Sequence, residues 1–201
     1  SRNLISKISN DDFSNEGFKF GYGKFISLGS KKIWAQRLSY VGELGFELYI
    51  ENDNANEIYQ LIVKEGKNHD LSHCGSHAMD TMRMESGFLH WGHDISPEEN
   101  QYQAGLKFAI RYKQETSFVG KESLLKVKEK KHDRRFIMLS LLDSKPGSPL
   151  LLHEEPIYLK DKIIGRTTSG NYSFNFKKSL SFGYVSSEHS NEELSKMDLY
   201  I

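Results

Sequence analysis

One cysteine, Cys74, stands in a chain of 201 residues, so no intrachain disulfide framework can form and a reducing compartment fits. No apolar run approaches the roughly 20 residues that a membrane-spanning helix needs, and no charged-then-apolar leader opens the chain. Neither sign of charge is in excess: Lys+Arg and Asp+Glu both number 27, for a formal net charge of zero. There is thus no basic footprint for nucleic acid and no acidic tail. No Gly-x-Gly-x-x-Gly follows a strand, which excludes a dinucleotide fingerprint. Val119-Gly120-Lys121-Glu122 lacks the Ser/Thr and the upstream glycine of a phosphate loop. No Gly-x-Ser-x-Gly elbow occurs, and Cys74 has no orienting partner in view. What is present, 37% hydrophobic and 12% aromatic residues, suffices for a soluble globular core. The chain opens at Ser1 without methionine, in sequence that already reads as folded, so a fragment or processed product is expected.

The histidines His69, His73, His77, His90 and His93, with Cys74, invite a zinc reading. Zinc needs ligands converging on one tetrahedral point, and no second Cys-x-x-Cys or His-x-x-x-His run closes such a set. No metal is expected, and the histidines read as surface or core-edge residues.

The stretch from Arg37 to Ile50 organises the rest. It reads as two strands folded back on each other, with Trp34, Leu38 and Tyr40 on one face before the bend. After the bend, Phe46, Leu48 and Ile50 share a face, and Glu47 and Tyr49 share the other. Gly42 and Gly45 bracket the bend, where positive φ suits glycine. Alternation alone leaves two readings for Glu47. It is a hydrogen-bonded acceptor beside a tyrosine, suited to a flat ligand with adjacent N–H donors, or it is a solvent-facing carboxylate on a half-buried strand.

Around this stretch, Leu4, Ile5 and Ile8 have helical spacing, and 13–23 reads as an aromatic, glycine-rich loop. Residues 25–28 and 33–40 form a hairpin about Gly29-Ser30, giving a three-strand meander with the later bend. Asn52-Asp53-Asn54 is a capping cluster before a helix through Ala55, Ile58, Tyr59, Leu61 and Ile62 that Gly66 can end. A second helix runs from Ser76 through Met79, Met82 and Met84 to Gly87, with Asp80 and Arg83 one turn apart. Residues 88–95 read as extended, 106–110 as a strand, and 120–131 as a short basic helix. Thereafter everything reads as β: 136–142, the turn Pro146-Gly147-Ser148-Pro149, a hairpin over 157–164, then 165–170 and 181–185. Short strands between turns suggest a small barrel or sandwich. The fold class expected is α+β, an antiparallel sheet with helices over 1–115 followed by a small C-terminal β-barrel over 116–201.

Tyr40-Val41-Gly42-Glu43-Leu44-Gly45-Phe46-Glu47 resembles the signature of the glycine-cleavage T-protein (aminomethyltransferase) superfamily. The helix 78–87, the stretch His90-Trp91-Gly92-His93-Asp94-Ile95, and Phe118-Val119-Gly120-Lys121-Glu122-Ser123-Leu124 resemble later segments of that family in order. Thr168-Ser169-Gly170 and 178–185 resemble marks of its C-terminal barrel. The wording of Gly42 to Gly45, with Trp91-Gly92, resembles the folate-binding half of dimethylglycine and sarcosine dehydrogenases.

The resemblance implies a tetrahydrofolate site and transfer of a one-carbon unit from an aminomethyl or N-methyl amine donor. By position it gives Tyr40 and Glu47 to the pterin, whose amino group and ring N–H a carboxylate can grip together. In the glycine-cleavage enzymes an arginine usually stands at the place of Met79; methionine cannot hold a carboxylate. Arg83 is the substitute the resemblance implies for folate binding, with an ion pair to Asp80 or Glu85 as the structural alternative. The family's catalytic aspartate is expected before Ser1, so no catalytic residue is assigned. Implied partners are folate, the amine donor, and a lipoyl carrier protein or a flavin-binding oxidase half, in cytoplasm or mitochondrial matrix. Rival readings are a non-catalytic folate-binding or regulatory subunit and a folate-dependent demethylase on the same fold.

Overall fold

The computed structural model describes residues 1–114, 117–195 and 199–200. It divides into two compact units, Ser1–Arg83 and Met84–Ile201. The boundary expected at 115/116 falls on residues outside those described.

The first unit holds α1 (Arg2–Ile8), β1 (Gly23–Leu28), β2 (Lys31–Gln36), β3 (Glu47–Tyr49), α2 (Asn52–Gly66) and most of α3 (Ser76–Glu85). The three strands form the predicted antiparallel meander in the order β1-β2-β3. Phe25 pairs with Trp34, Trp34 with Tyr49, and Gln36 with Glu47. Because residues opposite each other share a face, the sheet sorts its side chains cleanly. Ile26, Leu28, Ile33 and Ala35 are buried, and Leu48 packs against them. Phe46 and Ile50 flank Leu48 in the same core, as alternation foretold.

Two expectations about the bend change. β2 stops at Gln36, so Leu38 and Tyr40 lie in an irregular connection rather than in a strand. Gly42 has φ +74°, whereas Gly45 does not need positive φ. A Cβ at Gly45 would sit 3.1 Å from the Ser39 Cβ, so glycine there answers to space.

The 13–22 loop contributes more than a connection. Phe13 and Phe18 are each 2% exposed and pack on Phe46 with ring centroids 5.4 and 5.5 Å away. Burying two such rings contributes roughly 2–3 kcal/mol apiece. Arg37 ties the loop down by donating to the Phe18 carbonyl at 2.6 Å and to Asn15 Oδ1 at 2.8 Å. In α2, Glu51 rather than the Asn52–Asn54 cluster is the N-cap, and it makes no side-chain cap. Asp53 instead falls in the first turn, where its charge suits the positive end of the helix. Past Gly66 a short 3-10 turn at Lys67–His69 ends in left-handed Asp70, φ +51°.

The second unit holds α4 (Lys121–Lys128), β4 (Arg134–Ser140), β5 (Pro156–Leu159), β6 (Lys162–Ser173), β7 (Lys178–Ser186), α5 (Asn191–Ser195) and β8 (Leu199–Tyr200). The strands make one antiparallel sheet in the order β4-β7-β6-β5-β8, so the β reading of this region holds except at 191–195, where the short helix α5 stands instead of a strand. β6 and β7 approach so closely that a Cβ on Gly165 would lie 2.0 Å from the Tyr184 carbonyl oxygen. Glu85, at the end of α3, accepts from Ser173 Oγ and Asn175 Nδ2, each at 2.6 Å, and so holds the β6–β7 hairpin tip.

Residues 88–95 are not extended. Asp94, 1% exposed, accepts the His90 N–H at 2.8 Å and closes a tight turn whose ends meet as a Trp91–Ile95 bridge. The same carboxylate accepts Thr168 Oγ1 at 2.5 Å and Ser169 Oγ at 2.8 Å, while the Tyr184 hydroxyl donates to the Asp94 carbonyl at 2.9 Å. Consecutive strand residues normally face opposite ways. A register shift in β6 between Thr167 and Ser169 lets both hydroxyls reach one oxygen. Residues 106–110 are likewise not a strand; they include a 3-10 turn at Lys107–Ala109. The Leu106 N–H is taken by the Gln101 carbonyl at 2.8 Å, and Phe108 is 82% exposed.

Candidate functional site

The face of β1–β3 turned away from the core gathers most of the chemistry of the first unit. Gly23, Phe25, Trp34, Gln36, Glu47 and Tyr49 share it through the strand register. Phe25 and Tyr49 are 58% and 53% exposed, a large aromatic surface for one small sheet. Phe25 and Trp34 meet edge to face, centroids 5.1 Å apart at 75°. Gly23 makes room for the indole: a Cβ there would strike Trp34 Cζ2 at 2.4 Å.

Glu47 is exposed, at the first position of β3. Its Oε2 accepts the Tyr49 hydroxyl at 2.9 Å. The next nearest acceptor for that hydroxyl, Gln36 Oε1, lies at 3.4 Å, long for O–H···O. Among the described residues, Oε1 of Glu47 accepts no hydrogen bond. The Glu47 carboxylate, by accepting the phenol's hydrogen bond, holds Tyr49 above its ordinary pKa, with desolvation adding to the effect. One oxygen is therefore fixed, and the other points its lone pairs outward. An acceptor-only group with a free edge is what a pair of adjacent N–H donors needs.

Tyr40 sits half-buried in the turn of the 37–46 connection, three residues before exposed Glu43. Arg83 lies in α3 and is 1% exposed; its Nε donates to Asp80 Oδ1 at 2.7 Å. That is one of the two ion pairs weighed from the sequence. Met79, on the same helix, is 42% exposed. Alternation had placed Glu47 and Tyr49 on one face and set a tyrosine beside the carboxylate, but it did not join the two. The phenol's bond to the carboxylate, and the approach of Gln36, needed the β2–β3 register, which spacing does not carry.

Of the histidines, His73 Nε2 hydrogen-bonds the Tyr59 hydroxyl at 2.9 Å, and His69 lies 3.3 Å from Glu65. Among the described residues no three His, Cys, Asp or Glu side chains converge on a metal position, and no helix is long and apolar enough to cross a membrane.

Two family profiles match the chain: the one described as the GCVT N-terminal domain over residues 1–114, and the glycine cleavage T-protein C-terminal barrel domain over residues 134–198. Among curated relatives, 4-methylaminobutanoate oxidase (formaldehyde-forming) of Paenarthrobacter nicotinovorans is 37% identical over 86% of this chain and 20% of its own length. Mitochondrial dimethylglycine dehydrogenase of Rattus norvegicus is 34% identical over 92% of this chain and 21% of its own. Aminomethyltransferase of Listeria welshimeri is 32% identical over 90% of this chain and 48% of its own. The chain thus spans about a fifth of the first relatives and about half of the aminomethyltransferase. A crystal structure of glycine cleavage system aminomethyltransferase T from Bartonella henselae superposes with TM-score 0.76 at 22% identity, over 92% of this chain and 48% of that one. That likeness supports the fold.

Proposed function

Because the chain belongs to the glycine cleavage T-protein family, we propose that it forms the folate-gripping part of a tetrahydrofolate-dependent one-carbon transferase. The observation that carries this reading is Glu47. Its carboxylate lies on an open aromatic sheet face with Oε2 held by Tyr49. The unshared Oε1 edge fits the amino and ring N–H donors of a pterin in a charge-assisted pair. When bound, tetrahydrofolate supplies the amine nitrogens that accept the one-carbon unit.

In this proposal Tyr40 packs on or bonds to the ring, and Glu47 orients it so that its reacting edge faces the donor. Arg83 is buried and already paired with Asp80, so it serves by holding α3 rather than by gripping a folate carboxylate. The sequence boundary near 115 separates this part from the C-terminal barrel. The relatives named as 4-methylaminobutanoate oxidase and dimethylglycine dehydrogenase favour an N-methyl amine donor. They also favour an oxidase half, rather than a lipoyl carrier, as the source of the one-carbon unit. Of the cytoplasmic and mitochondrial alternatives, the mitochondrial dehydrogenase among them favours the second.

Calorimetric titration of tetrahydrofolate into the intact protein and its Glu47→Ala variant tests the site. Two hydrogen bonds to a charged acceptor are worth roughly 2–3 kcal/mol, so affinity should fall about 30- to 150-fold. Unchanged affinity would remove Glu47 from the site. Methylene-tetrahydrofolate as product supports transfer from an amine; methyl-tetrahydrofolate would instead mark a demethylase.

A further inference from the structure

We propose that Tyr49 is a positioning residue for the folate site: its phenol orients the Glu47 carboxylate and leaves one oxygen edge directed at the ligand. The inference rests on the reading of Glu47 given above. Its warrant is local geometry. Glu47 and Tyr49 stand two residues apart on β3 and face the same way. A glutamate on an exposed strand has three rotatable bonds and would sample many orientations. Here the Tyr49 hydroxyl donates to Oε2 at 2.9 Å. The phenol is itself placed by its neighbours: Tyr49 pairs with Trp34 across the strands, and Trp34 is held over Gly23 against Phe25.

The hydroxyl has one proton, and of its two acceptors in reach Glu47 is nearer by half an ångström than Gln36. An ionised carboxylate is acceptor-only, which suits a paired N–H edge. The rise in the phenol's pKa is the electrostatic counterpart of the same bond.

The test is a double-mutant cycle on the intact protein, with tetrahydrofolate as the probe and Tyr49→Phe, Glu47→Gln and the double variant compared. Phenylalanine keeps the ring and removes only the hydroxyl. Loss of one orienting bond to a charged group should weaken binding about tenfold in the Glu47 background. In the Glu47→Gln background the same change should cost less than twofold. A second readout needs no ligand. In an ultraviolet titration of tyrosinate formation, the phenol lost in Tyr49→Phe should be among the late-titrating ones, and Glu47→Gln should move it earlier. If Tyr49→Phe binds as well as the parent while Glu47→Gln is weakened, the positioning role is wrong and the Glu47 reading stands. If Glu47→Gln itself binds unchanged, the Glu47 reading fails whatever Tyr49 does. A tenfold loss from Tyr49→Phe that persists in the Glu47→Gln background overturns the proposal, since the phenol would then act independently of the carboxylate.

Discussion

Asp94 shows how much one buried side chain can organise. Its carboxylate collects two hydroxyls and a backbone N–H, and its carbonyl takes a fourth donor. Asp94→Ala would leave the buried Thr168 and Ser169 hydroxyls and the part-buried His90 N–H without this acceptor. Each such orphan costs about 1–3 kcal/mol. A loss of roughly 3–5 kcal/mol in chemical denaturation is expected, and Asp94→Asn, which keeps one acceptor oxygen, should lose less. The sequence flagged Asp94 only as part of a histidine-rich stretch. Its partners lie 74 and 75 positions further on, and no local period reports a contact of that span.

At the scale of elements, legibility followed periodicity. α1, α2, α3, α4, the meander of the first unit and the 157–164 hairpin of the second were readable because apolar spacing and turn glycines agree there with the final packing. The failures share a cause. Residues 88–95 and 106–110 have strand-like composition, yet their backbone donors are taken by nearby groups, the Asp94 side chain and the Gln101 carbonyl. A strand exists only where a neighbour completes its ladder, and composition does not supply the neighbour. Leu38 and Tyr40 fell outside β2 for the same reason, because β3 pairs only as far as Gln36. Close strand approach also carries a prediction. Gly165→Ala would drive a methyl into the Tyr184 carbonyl at 2.0 Å, a backbone atom that cannot turn aside. It should cost several kcal/mol and speed hydrogen exchange along β6 and β7. Gly21→Ala, at positive φ but with no atom within 4 Å of the new Cβ, should cost only about 1 kcal/mol.

Across the whole molecule, acid should act on the second unit through Glu85 and Glu155. Burial works to raise the Glu85 pKa, but donors from Ser173 and Asn175 outweigh it and leave the group below its ordinary value of 4.5. In Glu155 burial is again opposed, here by Thr167 and by the backbone N–H groups of Leu152 and Glu155, with the same net direction. A carboxylate depressed in the folded state contributes stability that is complete above its unfolded value and lost as pH falls through its folded one. Denaturation midpoints should therefore hold from pH 7 to about pH 5 and then fall. In Glu85→Gln the fall should be shallower, with the β6–β7 hairpin exchanging faster at neutral pH. An equal acid slope in parent and variant would show that Glu85 carries none of this dependence.

Function in this account comes down to one carboxylate edge meeting the donor edge of a reduced pterin. The most direct measurement pairs a cut on each side: tetrahydrofolate and its analogue lacking the 2-amino group, each titrated into the intact protein and into Glu47→Ala. The account expects the analogue to bind the parent at least tenfold more weakly than tetrahydrofolate, and the two ligands to bind Glu47→Ala alike. If the amino group matters equally with and without the Glu47 side chain, the two edges do not meet and the claim is wrong.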